Sequence, residues 1–323
     1  TPALSETNKG LIHQSFSSNS NWPYDWREFV VLDNSNFQTA VNLWFDNQAD
    51  ANATYGHISD WNTSAVTNMT NAFKDRTSFN EDIGDWDVSN VTTFFHLFRN
   101  AISFNQDLSD WNTSSLVNMS RCFDGASSFN SDLSKWDISN VNMMTAAFRN
   151  ATSFNQNINS WDVSNVLNIE NLFYGASVFN QPIGDWNTSS VTNMISVFNN
   201  ASAFNQPIGN WDTSSVTKMN RMFRDASDFN QDISDWNISS ANNMAIMFDG
   251  TNNLSNRNKS KIHSSFSANS NWSYDWSNFA PEDLQAVTNL EIVENKPAGS
   301  FVGEFNASDP DDDQLNYQVV QQL

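Results

Sequence analysis

The chain has 323 residues, a formal net charge of −21, 13 tryptophans and 25 phenylalanines. This aromatic content can fill a large core and argues against disorder, while the acidity argues against phosphate-bearing partners such as nucleic acid or an anionic membrane surface. The single cysteine, Cys122, excludes an internal disulfide, and no apolar run reaches the roughly 18 residues of a membrane-spanning helix.

Two helical elements are predicted before the repeats begin. In residues 1–32, apolar residues at helical spacing between Asn8 and Phe16 precede an aromatic turn that contains Trp22 and Trp26. This element is a helical cap, or else the end of a preceding module. Residues 33–57 form a degenerate N-terminal capping repeat, whose amphipathic helix is predicted from Phe37, Val41, Trp44 and Phe45.

Residues 58–253 are organised by a tryptophan that returns every 25 residues without insertion or deletion. The eight copies are Trp61, Trp86, Trp111, Trp136, Trp161, Trp186, Trp211 and Trp236. A fixed period of this length is typical of a solenoid, in which each repeat covers the apolar face of the next. We therefore predict an α/β, right-handed solenoid of eight strand–helix repeats with helical caps.

Within one unit, the apolar spacing predicts first a strand and then a helix. Trp86 and Val88 alternate with acidic residues, as in a strand with one buried face. The helix is predicted from Val91, Phe94, Leu97, Phe98 and Ala101. A serine two positions before each helix is predicted to be its N-cap. The basic residues at or just past the helix ends would meet the helix dipole: Lys74, Arg76, Arg99, Arg149 and Arg224.

Two further recurring positions are interpreted as core. Seven units carry a Phe–Asn pair, beginning with Phe79 and Asn80, and we expect the phenylalanines to stack and the asparagines to form a hydrogen-bonded ladder. The tryptophans share a strand face with Thr, Val or Ile two positions later, which predicts that they point inward. A platform of exposed tryptophans that stacks on sugars is the alternative.

The residues on either side of each tryptophan are predicted to face outward and to form an acidic strip. A solvated surface is the simplest interpretation, and a face that binds a cation or a partner is the alternative. The candidate contact residues are Asp85, Asp87, Asp110, Asp137, Asp162, Asp185, Asp212 and Asp235.

The first element is repeated after the last unit, because residues 4–29 return at 254–279 with a shift of 250 positions. Residues 254–280 are therefore predicted to be a C-terminal cap that shields the end of the core. Residues 281–286 form a proline-containing linker, and the composition changes in residues 287–323.

Two resemblances are carried by these motifs. The unit from Phe204 to Met219 resembles the 25-residue repeat of BspA-like surface proteins and is similar to that of mycoplasma surface lipoproteins. The resemblance implies a leucine-rich-repeat-like coil on a bacterial cell surface, often adhesive, and carries no shared catalytic residues.

The segment from Val293 to Asp311 looks like the opening of a cadherin-like domain, which implies a partial β-sandwich. That resemblance, together with an alternating acidic run, implies a Ca²⁺ site, although a solvated acidic turn is an equal alternative. Its ligands would be Glu294, Asp309, Asp311 and Asp313.

These features predict a non-enzymatic module of a large extracellular adhesin. The polar start lacks a signal peptide, so we expect a mature or excised piece. Its partner would be a protein or glycan on another surface. The alternative is a structural spacer or a subunit that assembles with sister copies. An enzyme is disfavoured, because the four histidines lie near no catalytic or metal-binding motif: His13, His57, His96 and His263.

Overall fold

The computed structural model describes residues 4–19, 21–279, 285–286 and 305–306. The helices are α1 (Glu6–Phe16), α2 (Phe37–Asp46), α3 (Gln48–Tyr55) and α4 (Asn256–Phe266). Strand β1 (Val31–Asp33) pairs in parallel with β2 (Asn62–Ala65), and β3 (Gln285–Ala286) pairs in antiparallel with β4 (Phe305–Asn306). The predicted helices in residues 1–32, 33–57 and 254–280 are thus confirmed. The predicted cadherin-like tail lies almost wholly outside the described residues.

The helix predicted within each repeat is wrong, since the chain between α3 and α4 forms successive turns instead. In one unit the amide of Leu97 donates to Phe94, that of Arg99 to His96 and that of Ala101 to Phe98, at 3.0 to 3.2 Å. His96 has a φ of 60°, and Asn100 has a φ of 57°. An α-helix of L-residues needs a negative φ throughout, so it cannot propagate through these positions.

The strand predicted beside each tryptophan is also misplaced, with β2 as the exception. One parallel bridge per unit lies within the turns instead, as between Asn68 and Thr93 and between Thr93 and Asn118. Amides along this segment donate to the next unit: Phe94 to Asn118, and Phe98 to Cys122, both at 2.8 Å. The units therefore stack in parallel, but through a ladder of turns. The right hand of the coil and its leucine-rich-repeat-like class remain predictions.

Aromatic columns form the core of this stack, and they confirm the inward prediction. The eight repeat tryptophans are only 2 to 4% exposed, which excludes a platform of exposed indoles on this face. The Phe79 ring stacks on that of Phe104 at 5.6 Å, and five further stacks continue this column at up to 6.3 Å. A parallel column starts with Phe73 and Phe98, whose centroids are 5.5 Å apart.

The asparagine ladder is confirmed as well. The side-chain oxygen of Asn80 accepts from the amide of Asn105, and the pattern repeats in every unit at 2.8 to 2.9 Å until Asn230 accepts from Ser255. Each asparagine thereby satisfies a backbone amide of the next unit, where no regular secondary structure would do so.

The two ends of the array, residues 58–253, are covered by different helices. At the start, Phe37, Val41 and Trp44 of α2 are buried, as the sequence predicted. At the end, residues 254–279, here called the second cap, bury Phe266 completely and place Trp276 5.3 Å from Phe248 of the last unit. The matching residues 4–29, described except for residue 20, are called the first cap.

Candidate interaction surface

The Asp or Asn after each tryptophan closes a turn. Its side-chain oxygen accepts from the amide of the serine two positions later, as Asp87 does from Ser89 at 3.0 Å. The distance is 2.9 to 3.2 Å in all eight units. The predicted serine N-caps are therefore wrong: no helix begins there, and the serine amide is the donor in a local Asx turn.

The turn holds these carboxyls in the charged form. Hydrogen bonds from the side chain and the amide of Ser89 lower the pKa of Asp87, and the equivalent serines lower the pKa of three further carboxyls: Asp137, Asp162 and Asp212. Four of the eight candidate contact residues thus have a structural task. The Asn residues at this position in other units perform the same task without charge.

The other four candidates precede the tryptophan and do not close this turn. These four residues are exposed, and we call them the acidic column: Asp85, Asp110, Asp185 and Asp235. The carboxylate of Asp110 forms an ion pair with Lys135 of the next unit at 2.8 Å. The carboxylate of Asp185 accepts from the side-chain amide of Asn159 at 2.7 Å. These exposed pairs contribute little to stability, so the column remains accessible to a partner.

A basic cluster on the turns was missed by the sequence analysis. Asp124 is only 3% exposed and lies within 4 Å of three guanidiniums, at 3.6 Å from Arg99, 3.8 Å from Arg121 and 3.9 Å from Arg149. Burial raises the pKa of Asp124, and the arginines oppose this shift. Because there is no helix here, Arg99 and Arg149 do not meet a helix dipole. The available signal was the position of Arg99 and Arg149 at 25 residues on either side of Asp124; Arg121 lies outside that column.

A cleft lies between the last unit and the second cap. It is lined by Asn237, Ser239, Ser265 and Asn271 among others, all without a titratable group. Such a lining offers hydrogen bonds rather than acid–base chemistry. Within the part of the chain that the structure describes, no group of three or more His, Cys, Asp or Glu residues could hold a metal ion. The predicted calcium ligands lie outside that part: Glu294, Asp309, Asp311 and Asp313.

The described helices were compared with the length and hydropathy of a membrane-spanning helix. None of them combines the length and the hydropathy needed to cross a bilayer.

Comparison with known proteins gives one family. No curated protein and no solved structure matches the chain. One family model matches it twice, over residues 39–161 and 142–262, so that together the matches contain the whole array and span more than two thirds of the 323 residues. The chain therefore belongs to the family described as "Mycoplasma protein of unknown function, DUF285".

Proposed function

We propose that this chain is a non-enzymatic contact module of an extracellular bacterial surface protein and that it attaches to a protein or glycan on another surface. The stacked units support this, because equivalent exposed positions recur every 25 residues and are held on a continuous aromatic core. A long, rigid face of this kind suits recognition by contact. Membership of the family and the resemblance to BspA-like repeats support a location on the cell surface.

The acidic column is the proposed contact surface. The observation that carries the proposal is that the two acidic positions beside the tryptophans differ. The aspartates that follow a tryptophan, such as Asp87, close turns, whereas those that precede one, such as Asp85, do not. Exposed carboxylates in register attract basic partners and guide their approach. The partner would therefore present lysines or arginines, or a cationic sugar.

A second candidate is assembly with sister copies. It is favoured by the basic cluster around Asp124, because the same chain carries an acidic column and a set of three arginines. Opposite charges on separate faces of identical chains can pair between copies. In that case the chain is a spacer or filament subunit, and the acidic column contacts the partner's basic cluster.

Two matched quadruple variants test the proposed surface. The first replaces all members of the acidic column with Asn, and the second replaces Asp87, Asp137, Asp162 and Asp212 with Asn, which keeps the turn acceptor. Each changes the formal charge from −21 to −17. Binding of the purified chains to fixed cultured cells and self-association by sedimentation would be measured at low and physiological salt.

We expect the first variant to lose about tenfold in binding and the second to lose much less. Four exposed charge contacts of about 0.3–0.5 kcal/mol each add up to such a change. Loss of self-association without loss of cell binding would favour the second candidate. Equal behaviour of the two variants would mean that only net charge matters, and full binding by both would place the contact surface elsewhere.

A further inference from the structure

The two caps share internal hydrogen bonds and 17 of 26 residues, although the rings of Phe16 and Trp22 stack whereas those of Phe266 and Trp272 meet edge to face. In the first cap, the indole of Trp22 donates to Nδ1 of His13 at 3.3 Å, and in the second cap Trp272 donates to Nδ1 of His263 at 3.1 Å. Each helix also begins at a serine that caps the amide three positions later, at 3.2 Å. The caps are therefore two copies of one folded element, and their surroundings can be compared residue by residue.

One side of the second cap is buried on the last unit of the array. Leu254 is 2% exposed, and Ile262 and Phe266 are fully buried. The Phe248 ring of the last unit lies 5.3 Å from that of Trp276. This apolar side therefore recognises the open end of a repeat array.

Polar contacts fix the orientation of the second cap on that end. The hydroxyl of Tyr274 donates to Asp249 at 2.7 Å and accepts from the amide of Phe248 at 2.8 Å. The side-chain amide of Asn269 donates to the carbonyl of Ile238 at 2.7 Å. The bonds to Phe248 and Ile238 satisfy backbone groups of the last unit that no further unit covers.

The equivalent side of the first cap has no such cover among the described residues. Leu4 is 48% exposed where Leu254 is buried, Phe16 is 51% exposed where Phe266 is buried, and Tyr24 is 52% exposed. Large apolar side chains clustered in this way mark an interaction site.

The opposite side of the same helix is occupied within the chain. Nε2 of His13 lies 3.0 Å from the carbonyl of Ala53, and Ser17 donates to the hydroxyl of Thr54 at 3.0 Å. The element thus has two contact sides: one meets the helices that start an array, and the other meets the unit that ends one. In the first cap, the described residues fill only the side that meets the helices at the start of the array.

We propose that the first cap is a docking surface for the terminal unit of another 25-residue repeat array. The second cap supplies the pattern of the interface, because Phe248 packs against Trp272 and Trp276. An equivalent residue of the array end would pack against Trp22 and Trp26, Tyr24 would bind its backbone, and Phe16 would be covered as Phe266 is. Two arrays would then be joined end to end through one cap. This inference does not depend on the proposed role of the acidic column.

One difference between the caps affects which array ends fit the first cap best. Lys261 of the second cap forms an ion pair with Asp232 of the last unit at 3.0 Å, whereas the first cap has Leu11 at that position, 58% exposed. Leucine would leave an opposing carboxylate without a partner. An array end with an apolar residue in place of Asp232, as in the units with Pro182 and Pro207, should therefore bind the first cap more tightly than this chain's own array end does.

The full chain can provide both partners of this contact when its own second cap is displaced. The variant Phe266→Asp places a charge in the buried contact and uncovers the Phe248 end, while the first cap stays intact. We expect it to form head-to-tail oligomers whose mean sedimentation coefficient rises with concentration, because such a contact does not close on itself. The wild-type chain serves as the reference, and Phe16→Asp is the control for the first cap.

The double variant Phe16→Asp/Phe266→Asp decides the origin of any association. It should remain at the size of the single chain, since its docking surface carries a charge. Oligomers that persist in it, or a Phe266→Asp chain that opens its cap by limited proteolysis yet stays single, would overturn the proposal. If circular dichroism shows that Phe266→Asp unfolds, Asn269→Ala/Tyr274→Phe displaces the cap more gently and is tested with and without Phe16→Asp.

Discussion

The indole nitrogen of Trp136 donates a 2.9 Å hydrogen bond to the carbonyl of Leu108, which belongs to the preceding unit. The same bond recurs with a spacing of 28 positions for every repeat tryptophan from Trp86 to Trp236, at 2.8 to 3.1 Å. Each tryptophan therefore fills the core and also gives a buried carbonyl a second donor, since Leu108 accepts from the amide of Trp111 at 3.2 Å as well. This double role explains why no other aromatic residue replaces it.

Trp136→Ala should destabilise the chain by about 3–5 kcal/mol, because it removes a large buried ring and leaves a cavity. Trp136→Phe keeps most of the ring and should cost less, with about 0.5–1.5 kcal/mol arising from the lost hydrogen bond to the carbonyl of Leu108, which keeps the amide of Trp111 as a donor. Urea unfolding followed by circular dichroism measures both. Equal costs for the two variants would show that the hydrogen bond contributes nothing beyond packing.

The period and the buried columns could be predicted from the sequence, because both depend only on which positions recur as apolar. The inward tryptophans, the asparagine ladder and the caps follow from that pattern. The local backbone could not be predicted in the same way. Val91, Phe94 and Leu97 are three apart, and this spacing arises in a helix but also in successive turns that each close after three residues.

Another recurring position in the sequence indicates turns. Each unit has two positions with a positive φ, and at the second of them the residue is always Asn, Asp or Gly: Asp75, Asn100, Gly125, Asn150, Gly175, Asn200, Asp225 and Gly250. These are the residues that tolerate the left-handed region, and their recurrence indicates turns rather than a helix. The Asp and Asn of the Asx turns were similarly visible, but their spacing alone does not separate a turn acceptor from a free contact residue.

Ile246→Asn should stabilise the chain by about 1 kcal/mol. Ile246 has a φ of 50°, where a β-branched side chain is strained, while the equivalent positions Asn71 and Asn171 carry a residue that tolerates this conformation. Ile246 is only partly buried, so little apolar contact is lost. Thermal and urea unfolding measure the gain. A loss of stability would mean that the packing of Ile246 outweighs its backbone strain.

Stability should fall on acidification, partly through the Asx turns. The pKa of Asp87, and those of the equivalent Asp137, Asp162 and Asp212, are lower in the fold than in the unfolded chain. Their contribution is therefore present above the unfolded pKa of about 3.9 and is lost as pH falls through the lower folded values. Urea midpoints measured from pH 6 down to pH 2 follow this loss.

The quadruple Asp→Asn variant at those four turns provides the comparison. Asn accepts the same hydrogen bond at every pH. The acid limb of this variant, which is the fall of its urea midpoint between pH 6 and pH 2, should therefore be shallower than that of the wild-type chain. The quadruple variant of the acidic column removes the same number of charges and controls for net charge. Identical acid limbs in the two variants would argue that general repulsion, rather than the turns, causes the pH dependence.

Asp124→Asn should change stability by less than about 1 kcal/mol at low salt, because burial disfavours the charge of Asp124 more than the arginines favour it, as its raised pKa indicates. Asn fits the site, since Asn199 occupies the equivalent position and is 4% exposed. The substitution removes a buried charge, whose desolvation is unfavourable, but it leaves Arg99, Arg121 and Arg149 close together without a carboxylate. The arginine side chains are 30 to 37% exposed, so water and salt screen their repulsion and limit the cost.

Asp75→Asn, at an exposed carboxylate, is the control. A larger cost that does not change with salt would show that Asp124 acts through packing and hydrogen bonding, because screened repulsion must weaken as ionic strength rises.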